Sequence, residues 1–315
     1  MSFDLPHIAR AVAAHGPVAR VVVARVEGSA PREIGAAMLV WQDGQDGTIG
    51  GGALELQATE TARAMLTEDR AARLDLIPLG PAVGQCCGGA VSLVTEVFTE
   101  QRLAQIDGPL FARAIDGPAE PPLSVQRLLA NARSTGTLPG PQLMQGWMIE
   151  PLSAPQTHIW IWGAGHVGRA IVAVLAPLPD VQITWVDTAA DRFPDHLPEN
   201  VDRLIAPKPA EVARYAPADA RHLIQTYSHP IDLSICDALL RHDFGFAGLI
   251  GSTTKRARFR RRLTQLGHGA HQVGRITCPI GDPGLGKHPQ AIAIGVAAEM
   301  LKYSDENTAR RDATA

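Results

Sequence analysis

The sequence predicts an α/β protein whose C-terminal half is a Rossmann-like, doubly wound parallel sheet, preceded by a smaller N-terminal α/β domain. Its 315 residues suit two domains of roughly 150 residues each. From residue 158 onward, short apolar runs alternate with helical stretches, the pattern of βαβ units in a parallel sheet. A glycine-rich turn joins the first of these strands to the first helix, as in doubly wound folds.

The second half is predicted to contain five strands, each short, apolar and rich in β-branched or aromatic residues, as buried parallel strands are. These strands span residues 158–162, 181–186, 202–205, 222–226 and 246–250. The predicted helices span residues 167–175, 209–215, 231–242, 253–266 and 289–302. Pro177 and Pro179 end the first helix, since proline cannot continue a helical ladder.

The first half is predicted to hold strands 18–26, 37–41 and 90–98, a turn at 43–47 and a helix at 53–66. That helix repeats apolar residues at Leu54, Ala58, Ala62 and Met65, which places them on one face. Glycine and proline interrupt residues 108–146, so no long element is expected there. We expect a first domain at 1–150, a second at 151–303, and a polar, disordered tail at 304–315.

Composition excludes several classes of protein. Lys and Arg number 29 against 32 Asp and Glu, giving a net charge of −3, so no global positive field attracts nucleic acid. No apolar run reaches the length of a membrane span, and no signal peptide is recognisable at the N-terminus. We therefore expect a soluble cytoplasmic protein. The four cysteines lack the Cys-x-x-Cys spacing of a zinc ribbon or a disulfide framework.

The glycine-rich turn Gly163-Ala164-Gly165-His166-Val167-Gly168 opens a helix directly after a strand. Such a turn brings backbone amides and a helix N-terminus close to a phosphate. Asp187 ends the next strand, 19 residues after Gly168, where a carboxylate meets a ribose hydroxyl in dinucleotide-binding proteins. Gly163, Gly165, Gly168 and Asp187 are therefore candidate ligand-binding residues. The alternative is a Rossmann frame that has kept the turn without the dinucleotide.

A second glycine loop ends in Gly50, Gly51 and Gly52 and runs directly into the helix at 53–66. Three unhindered amides at a helix start offer a second anion site. No Gly-Lys-Ser/Thr follows, so the loop is not a nucleotide P-loop. The alternative is a turn that needs positive φ, which glycines also provide.

Two adjacent thiols, Cys86 and Cys87, precede Gly88-Gly89. Thiolates bind soft metals, although a free cysteine is also a common small buried residue. Neighbouring side chains of an extended segment point to opposite faces, so only one of the two thiols is expected to face a ligand. Which of them does so stays open. Cys236 lies in a helical pattern and is expected in the core.

Two further segments carry candidate side chains. His229 lies just past a predicted strand, where open α/β sheets bind ligands; the alternative is a packing or capping role. The segment 255–262 is rich in lysine and arginine. Cations in the first turn oppose the helix dipole, and a bound anion or an acidic partner would relieve this. The alternative is a solvated face.

These motifs occur together in one family. The chain resembles the xanthine dehydrogenase accessory proteins, the XdhC/CoxI family, over nearly its whole length. The motifs that carry the resemblance are Gly28-Ser29-Ala30-Pro31-Arg32, Gly47-Thr48-Ile49-Gly50-Gly51-Gly52-Ala53-Leu54-Glu55, Gln85-Cys86-Cys87-Gly88-Gly89, Gly163-Ala164-Gly165-His166-Val167-Gly168, Gly248-Leu249-Ile250-Gly251-Ser252 and Pro279-Ile280-Gly281. The chain departs from the family at Tyr227-Ser228-His229, where a version beginning with threonine is more usual.

The resemblance implies a carrier of the molybdenum cofactor rather than an enzyme. Such a chaperone holds the molybdopterin cofactor as cargo while a cysteine desulfurase exchanges an oxo ligand for a sulfido ligand, and then delivers it to xanthine dehydrogenase. It has no catalytic residue of its own. The cargo would contact Gly50, Gly51, Gly52, Cys86, Cys87, Gly163, Gly165, Gly168, Asp187 and His229, although which glycine loop takes the phosphate stays open. A homodimer is expected, because a carrier that receives and passes on cargo benefits from extended surfaces.

Two other classes of function stay open. An NAD(P)-dependent oxidoreductase would use the turn at Gly163 and Asp187, with His166 or His229 as proton-transfer residues. A protein-bridging scaffold would use the arginine-rich helix and need no ligand.

Overall fold

The computed structural model describes residues 3–68, 70–79, 88–152 and 157–312, with side chains as far as Tyr303. The chain divides into two compact units, Met1–Ala154 and Pro155–Ala315, here called unit 1 and unit 2. Among the described residues, no helix combines the length and the apolar character that a membrane span requires.

The described part of unit 1 contains two antiparallel sheets and four α-helices. The larger sheet has the order β3-β2-β1-β5-β4 and the smaller one β6-β8-β7. The strands are β1 (Val18–Glu27), β2 (Ala37–Trp41), β3 (Gly44–Gly47), β4 (Ala72–Pro78), β5 (Ala90–Phe98), β6 (Leu110–Ala114), β7 (Gln142–Met144) and β8 (Trp147–Pro151). The helices are α1 (Leu5–His15), α2 (Gly52–Thr67), α3 (Glu100–Leu103) and α4 (Leu123–Thr135).

The predicted core face of α2 is confirmed, since Leu54, Ala58, Ala62 and Met65 are all buried. Two predictions for unit 1 are wrong: that residues 43–47 form a turn, and that residues 108–146 contain no long element. Gly44–Gly47 is strand β3, paired with β2, because backbone pairing along β2 outweighs the turn preference of Asp and Gly.

The segment 108–146 contains the 13-residue helix α4, where no long element was expected. Pro122 is its N-cap, and Gly136 ends it at φ 71°. Proline costs no hydrogen bond at a helix start, and glycine adopts the left-handed conformation that ends many helices. These residues therefore bound the helix instead of interrupting it.

A buried ion network joins the two sheets of unit 1. Glu150 on β8 accepts hydrogen bonds from Arg20 on β1 at 2.7 and 3.1 Å, and from Arg113 on β6 at 2.6 Å. Arg113 also pairs with Glu96 on β5, which Arg102 reaches at 2.5 Å. Both carboxylates are fully buried, and buried charges persist only when paired. The network therefore fixes how the smaller sheet lies on the larger one.

Unit 2 is a doubly wound parallel sheet, which confirms the predicted fold class. Its order is β11-β10-β9-β12-β13-β14, with every neighbouring pair parallel. The strands are β9 (Thr157–Trp162), β10 (Val181–Asp187), β11 (Val201–Ile205), β12 (Arg221–Ile224), β13 (Phe246–Leu249) and β14 (Ile276–Thr277). Strand order reverses between β9 and β12, and open α/β sheets bind ligands outside the carboxyl ends of the strands at such a point.

Helices cover both faces of this sheet and form two separate apolar cores. They are α5 (His166–Leu175), α6 (Pro209–Val212), α7 (His229–Leu239), α8 (Thr253–Gln265), α9 (Ala270–Gly274) and α10 (Pro289–Asp312). The backbone of α10 is helical beyond residue 302, where the sequence predicted its end. No side chain after Tyr303 is described, so the disordered tail expected at 304–315 stays a prediction.

Candidate functional site

The glycine turn after β9 is shaped largely by close packing. Gly163 has φ +117°, and a Cβ there would lie 2.6 Å from the carbonyl oxygen of Gln225. A Cβ on Gly168 would lie 2.0 Å from the carbonyl oxygen of Gly163. Gly165 differs, because it is exposed at the start of α5 and a Cβ there would meet no atom within 4 Å. Of these three predicted residues, Gly165 is the one that faces open space.

Asp187 lies at the end of β10, as the sequence predicts, but its carboxylate is only 3% exposed. Its Oδ2 accepts a hydrogen bond from the Ala164 amide at 2.6 Å. Its Oδ1 accepts one from the Thr188 amide at 2.6 Å and lies 2.9 Å from Nε of Arg192. A ribose hydroxyl would have to displace one of these partners, so the predicted contact of Asp187 with a ligand stays a prediction.

The loop after β12 adds side chains at the carboxyl edge of the sheet. Oε1 of Gln225 is buried and has no hydrogen-bond partner among the described residues. Tyr227 is 63% exposed, with the Arg192 guanidinium 4.2 Å from its ring centroid. His229 is exposed as the first residue of α7, and its ring meets Phe259 edge to face at 6.4 Å. The strand order thus places Gly165 and His229 at the same edge of the sheet.

A buried ion pair holds two of these loops together. Asp232, fully buried on α7, accepts hydrogen bonds from the amide and hydroxyl of Thr226 at 2.9 and 2.7 Å. Its other oxygen lies 2.7 Å from Nζ of Lys255 on α8, which also donates to the carbonyl of Ile250 at 2.8 Å. The first cation of the arginine-rich segment therefore has a partner inside unit 2.

Sequence reasoning missed a crevice of about 400 Å³ beside the ends of β13 and β14, a volume that accommodates a small organic ligand. Its walls are apolar, and Lys287 and the first residues of α8 add polar groups. Lining residues include Ile250, Ser252, Thr253, Ile280, Lys287 and Ile292. They come from three separate segments, so no single motif marks the crevice. The family motifs at Gly248-Leu249-Ile250-Gly251-Ser252 and Pro279-Ile280-Gly281 were the available signals.

In unit 1, three of the sequence motifs meet in space. A Cβ on Gly50 would lie 2.5 Å from Cβ of Pro31. A Cβ on Gly89 would lie 2.4 Å from the carbonyl oxygens of both Glu27 and Ser29. The segments 28–32, 47–52 and 88–89 therefore form one close-packed cluster that depends on glycine. Cys86 and Cys87, the predicted thiol ligands, lie outside the described residues.

The amides of the second glycine loop already hold an anion of the chain itself. Oε2 of Glu55 accepts hydrogen bonds from the Thr48 hydroxyl at 2.6 Å, the Gly51 amide at 3.1 Å and the Ile49 amide at 3.2 Å. Burial works to raise the pKa of Glu55, but these hydrogen bonds outweigh it and hold the pKa below its ordinary value.

The three consecutive glycines of this loop also serve its shape. Gly50, Gly51 and Gly52 all have positive φ, a conformation that favours glycine. The turn-forming interpretation of these glycines is therefore supported, and their contact with a ligand stays a prediction. Within the described ranges, no group of three His, Cys, Asp or Glu side chains is placed to hold a metal ion.

Comparison with known proteins places both halves of the chain in one family. The model of the XdhC and CoxI family matches residues 11–76, and the model of the XdhC Rossmann domain matches residues 159–300. The uncharacterized protein YqeB of Escherichia coli K12 is 26% identical over 298 residues, which cover 92% of this chain and 44% of that protein. The chain thus spans less than half the length of this relative.

One solved structure shares the fold over nearly the whole chain. A crystal structure described as a xanthine dehydrogenase from Bacillus halodurans superposes with a TM-score of 0.73 at 19% identity, covering 96% of each chain. The E. coli tRNA N6-threonylcarbamoyladenosine dehydratase bound to AMP reaches a TM-score of 0.34 at 14% identity, over 49% of this chain and 88% of that one. The two family models together match about two thirds of the residues, and the chain belongs to the XdhC and CoxI family.

Proposed function

We propose that this protein is an accessory protein of xanthine dehydrogenase that carries the molybdenum cofactor. It holds the molybdopterin cargo while a cysteine desulfurase supplies the sulfido ligand, and then delivers the cargo to xanthine dehydrogenase. Family membership supports the accessory role. The structural observation that carries the proposal is that segments 28–32, 47–52 and 88–89, which belong to three separate family motifs, pack against one another. The last of these segments directly follows Cys86-Cys87 in the sequence.

The chemistry of the cargo matches groups at both sites. Molybdopterin carries a phosphate, a pterin with N–H donors, and a dithiolene-bound metal that prefers soft neighbours. In unit 2, Gly165 offers an open helix start for an anion, and Oε1 of Gln225 is an acceptor without a partner among the described residues. In unit 1, the thiols of Cys86 and Cys87 are the soft groups. Each unit thus offers candidate groups for one part of the cargo, and xanthine dehydrogenase would perform the redox chemistry.

The second candidate function is an NAD(P)-dependent oxidoreductase, which the strand order of unit 2 favours. The contacts of Asp187 argue against an oxidoreductase. In dinucleotide-binding proteins this carboxylate faces the ribose, whereas here it binds the Ala164 amide and Arg192. His166 and His229 are exposed, but among the described side chains no acidic or basic group forms a hydrogen bond or ion pair with either ring. We therefore propose a carrier and not a dehydrogenase.

Assembly and location complete the proposal. We propose that the protein acts as a homodimer in the cytoplasm, where xanthine dehydrogenase and a cysteine desulfurase would be its partners. Light scattering tests the assembly. A monomer at every accessible concentration would contradict the dimer without affecting the proposed cargo.

The experiment is to purify the protein from cells that make the cofactor and to assay it for molybdenum, pterin and nicotinamide. The expected result is a stoichiometric pterin complex with little NAD. Gly165→Asp should lose the cargo, because it places a carboxylate where the phosphate is proposed to lie. Gly165→Ala is the matched control, since its Cβ meets no atom within 4 Å and should leave binding intact.

Circular dichroism must first show that both variants are folded. If Gly165→Asp binds the cargo normally, the phosphate lies elsewhere and the loop Gly50-Gly51-Gly52 becomes the leading site. Micromolar affinity for NAD without any pterin binding would overturn the carrier proposal.

A further inference from the structure

Helix α8 presents a concentrated positive charge to solvent. Five of its arginines are exposed, and no hydrogen bond or ion pair joins their guanidinium groups to any other described side chain. We call this the arginine surface, made of Arg256, Arg258, Arg260, Arg261 and Arg262. Residues 244–281 hold seven of the 29 lysines and arginines and none of the 32 acidic residues. A chain with a net charge of −3 thus carries a segment with a charge of +7.

This charge distribution costs stability in the free protein. Arg256 and Arg260 are spaced i and i+4, as are Arg258 and Arg262, and like charges at this spacing destabilise a helix. The first turn of α8 contains no acidic residue, so the helix itself supplies no negative side chain to the positive end of its dipole. An acidic surface bound to α8 would offset both effects.

A cavity of about 160 Å³ lies beside the arginine surface. Its lining is partly apolar and partly polar, and a cavity of about 150 Å³ suffices to hold a benzene ring. The apolar lining comes from Leu249, Phe259, Leu263, Val273 and Ile276. Arg256 and Arg260, both exposed, also line it. The cavity therefore combines apolar lining residues with two solvent-exposed cations.

Two thiols complete the lining of this cavity, those of Cys236 and Cys278. Burial raises the pKa of both thiols, although Lys255 and Arg256 act to lower that of Cys278. The thiols are therefore uncharged at neutral pH and behave as small apolar groups. The interior of the cavity suits an aliphatic or aromatic side chain better than an ion.

The neighbourhood favours a protein partner over nucleic acid or a membrane. The only aromatic residue of α8, Phe259, is 5% exposed, so the helix offers no stacking platform for bases. Its apolar residues Phe259 and Leu263 are buried in the core of unit 2, whereas a helix that binds a lipid surface exposes its apolar face. A small pocket with apolar residues in its lining and cations at its edge is instead typical of a protein interface, where one anchoring side chain fills a pocket inside a polar rim.

We propose that the arginine surface binds an acidic segment of a partner protein, with one apolar side chain of that segment entering the cavity lined by Arg256 and Arg260. This interaction does not depend on the molybdenum cofactor. A failure of cofactor binding and a failure of this docking are therefore separate results.

The test uses the purified full-length protein and a fluorescent peptide of about ten residues, in which a single leucine is flanked by glutamates. Fluorescence anisotropy should detect binding that weakens with salt. Replacing the leucine by serine should weaken binding about tenfold or more, because burying a leucine side chain is worth at least one factor of ten in affinity. No binding of the leucine peptide up to about 1 mM would overturn the proposal.

Three variants separate the parts of the interaction. Arg256→Glu/Arg260→Glu should abolish peptide binding, whereas Arg127→Glu/Arg133→Glu, which makes the same charge change at exposed positions on α4, should not. Gly274→Leu is designed to obstruct the cavity, because Gly274 lines it and there is room for a Cβ, which meets no atom within 4 Å. This variant should bind the leucine and serine peptides equally and weakly.

Each contrary result is informative. Equal binding of the two peptides to the unmodified protein would refute the role of the cavity. If the two double variants lose peptide binding equally, binding depends on the overall charge of the protein and not on the arginine surface of α8. Tighter binding of a short DNA duplex or of phosphatidylserine vesicles than of the leucine peptide would identify a different class of partner and overturn the proposal.

Discussion

A buried histidine makes the stability of unit 2 depend on pH. His222, on β12, is fully buried among the rings of Trp160, Trp162 and Phe244. Its Nδ1 accepts a hydrogen bond from the Trp162 indole at 3.2 Å, and its Nε2 has no partner among the described residues. Burial, aided by the nearby charge of His242, lowers the pKa of His222 to about 3.

The sign and size of the effect follow from this pKa. In the unfolded chain a histidine titrates near 6.5, so between about pH 6.5 and pH 3 the unfolded state binds a proton that the folded state does not. The free energy of unfolding therefore falls as the pH drops through this window, by about 1.4 kcal/mol per pH unit. Between pH 7 and pH 4 the loss is about 3 kcal/mol, and above pH 7 the residue contributes no pH dependence.

His222→Phe removes this titration and keeps an aromatic ring in the cluster. The variant leaves the Trp162 indole N–H without an acceptor, which costs about 1–3 kcal/mol at all pH values. We therefore expect the unmodified protein to be more stable at pH 7, and this advantage to vanish or reverse near pH 4. The assay is urea unfolding between these pH values, followed by tryptophan fluorescence. Hydrogen exchange of peptides from β9 and β12 assigns the change to unit 2.

The quantity to compare is the difference in unfolding free energy between the two proteins, because the titrations of carboxylates that they share cancel. His271→Phe is the control, since His271 is exposed on α9, and its difference from the unmodified protein should stay constant with pH. If the difference for His222→Phe is likewise constant from pH 7 to pH 4, His222 is not buried in its neutral form and the reasoning is refuted.

Two further predictions concern packing and charge. Glu150→Gln should lower the unfolding free energy of unit 1 by about 3–5 kcal/mol, since it leaves buried guanidinium charge without its partner. The control is Glu27→Gln, because the ion pair of Glu27 with Arg25 is exposed. This variant should lower the unfolding free energy by at most about 1 kcal/mol. Urea unfolding measures both, and equal losses would contradict the network's role. Gly168→Ala should lower the thermal midpoint of unit 2, because its Cβ would lie 2.0 Å from a backbone oxygen; an unchanged midpoint would show that the turn moves freely.

The sheet of unit 2 could be predicted from sequence because its long strands are apolar runs bounded by turns. Strand β14 has two residues, Ile276 and Thr277, too few to form a pattern, and it exists only because β13 provides an edge to pair with. Similarly, Gly44–Gly47 has turn composition and becomes a strand through pairing with β2. In both cases pairing with another strand determines the structure, and the sequence of the segment itself does not indicate that partner.

The candidate site could be predicted in part for the same reason. The sequence places Asp187 at the end of a strand, but its inward orientation depends on the Ala164 amide and on Arg192, which lie in other segments. The meeting of Pro31, Gly50 and Gly89 depends equally on the tertiary fold. The crevice near Lys287 needs three segments at once. Residue types indicate the candidate groups, and only the fold determines which of them meet.

Both glycine loops share a feature that bears on where the phosphate of the proposed cargo would bind. In each, a carboxylate of the chain accepts hydrogen bonds from loop amides: Glu55 binds Ile49 and Gly51, and Asp187 binds Ala164. A phosphate entering the loop of unit 1 would meet the charge of Glu55, whose lowered pKa keeps it ionised at neutral pH. At the start of α5, Asp187 is buried beneath the turn while Gly165 is exposed and unobstructed. A phosphate can therefore approach Gly165 without displacing a carboxylate, which makes the start of α5 the better proposed site for it.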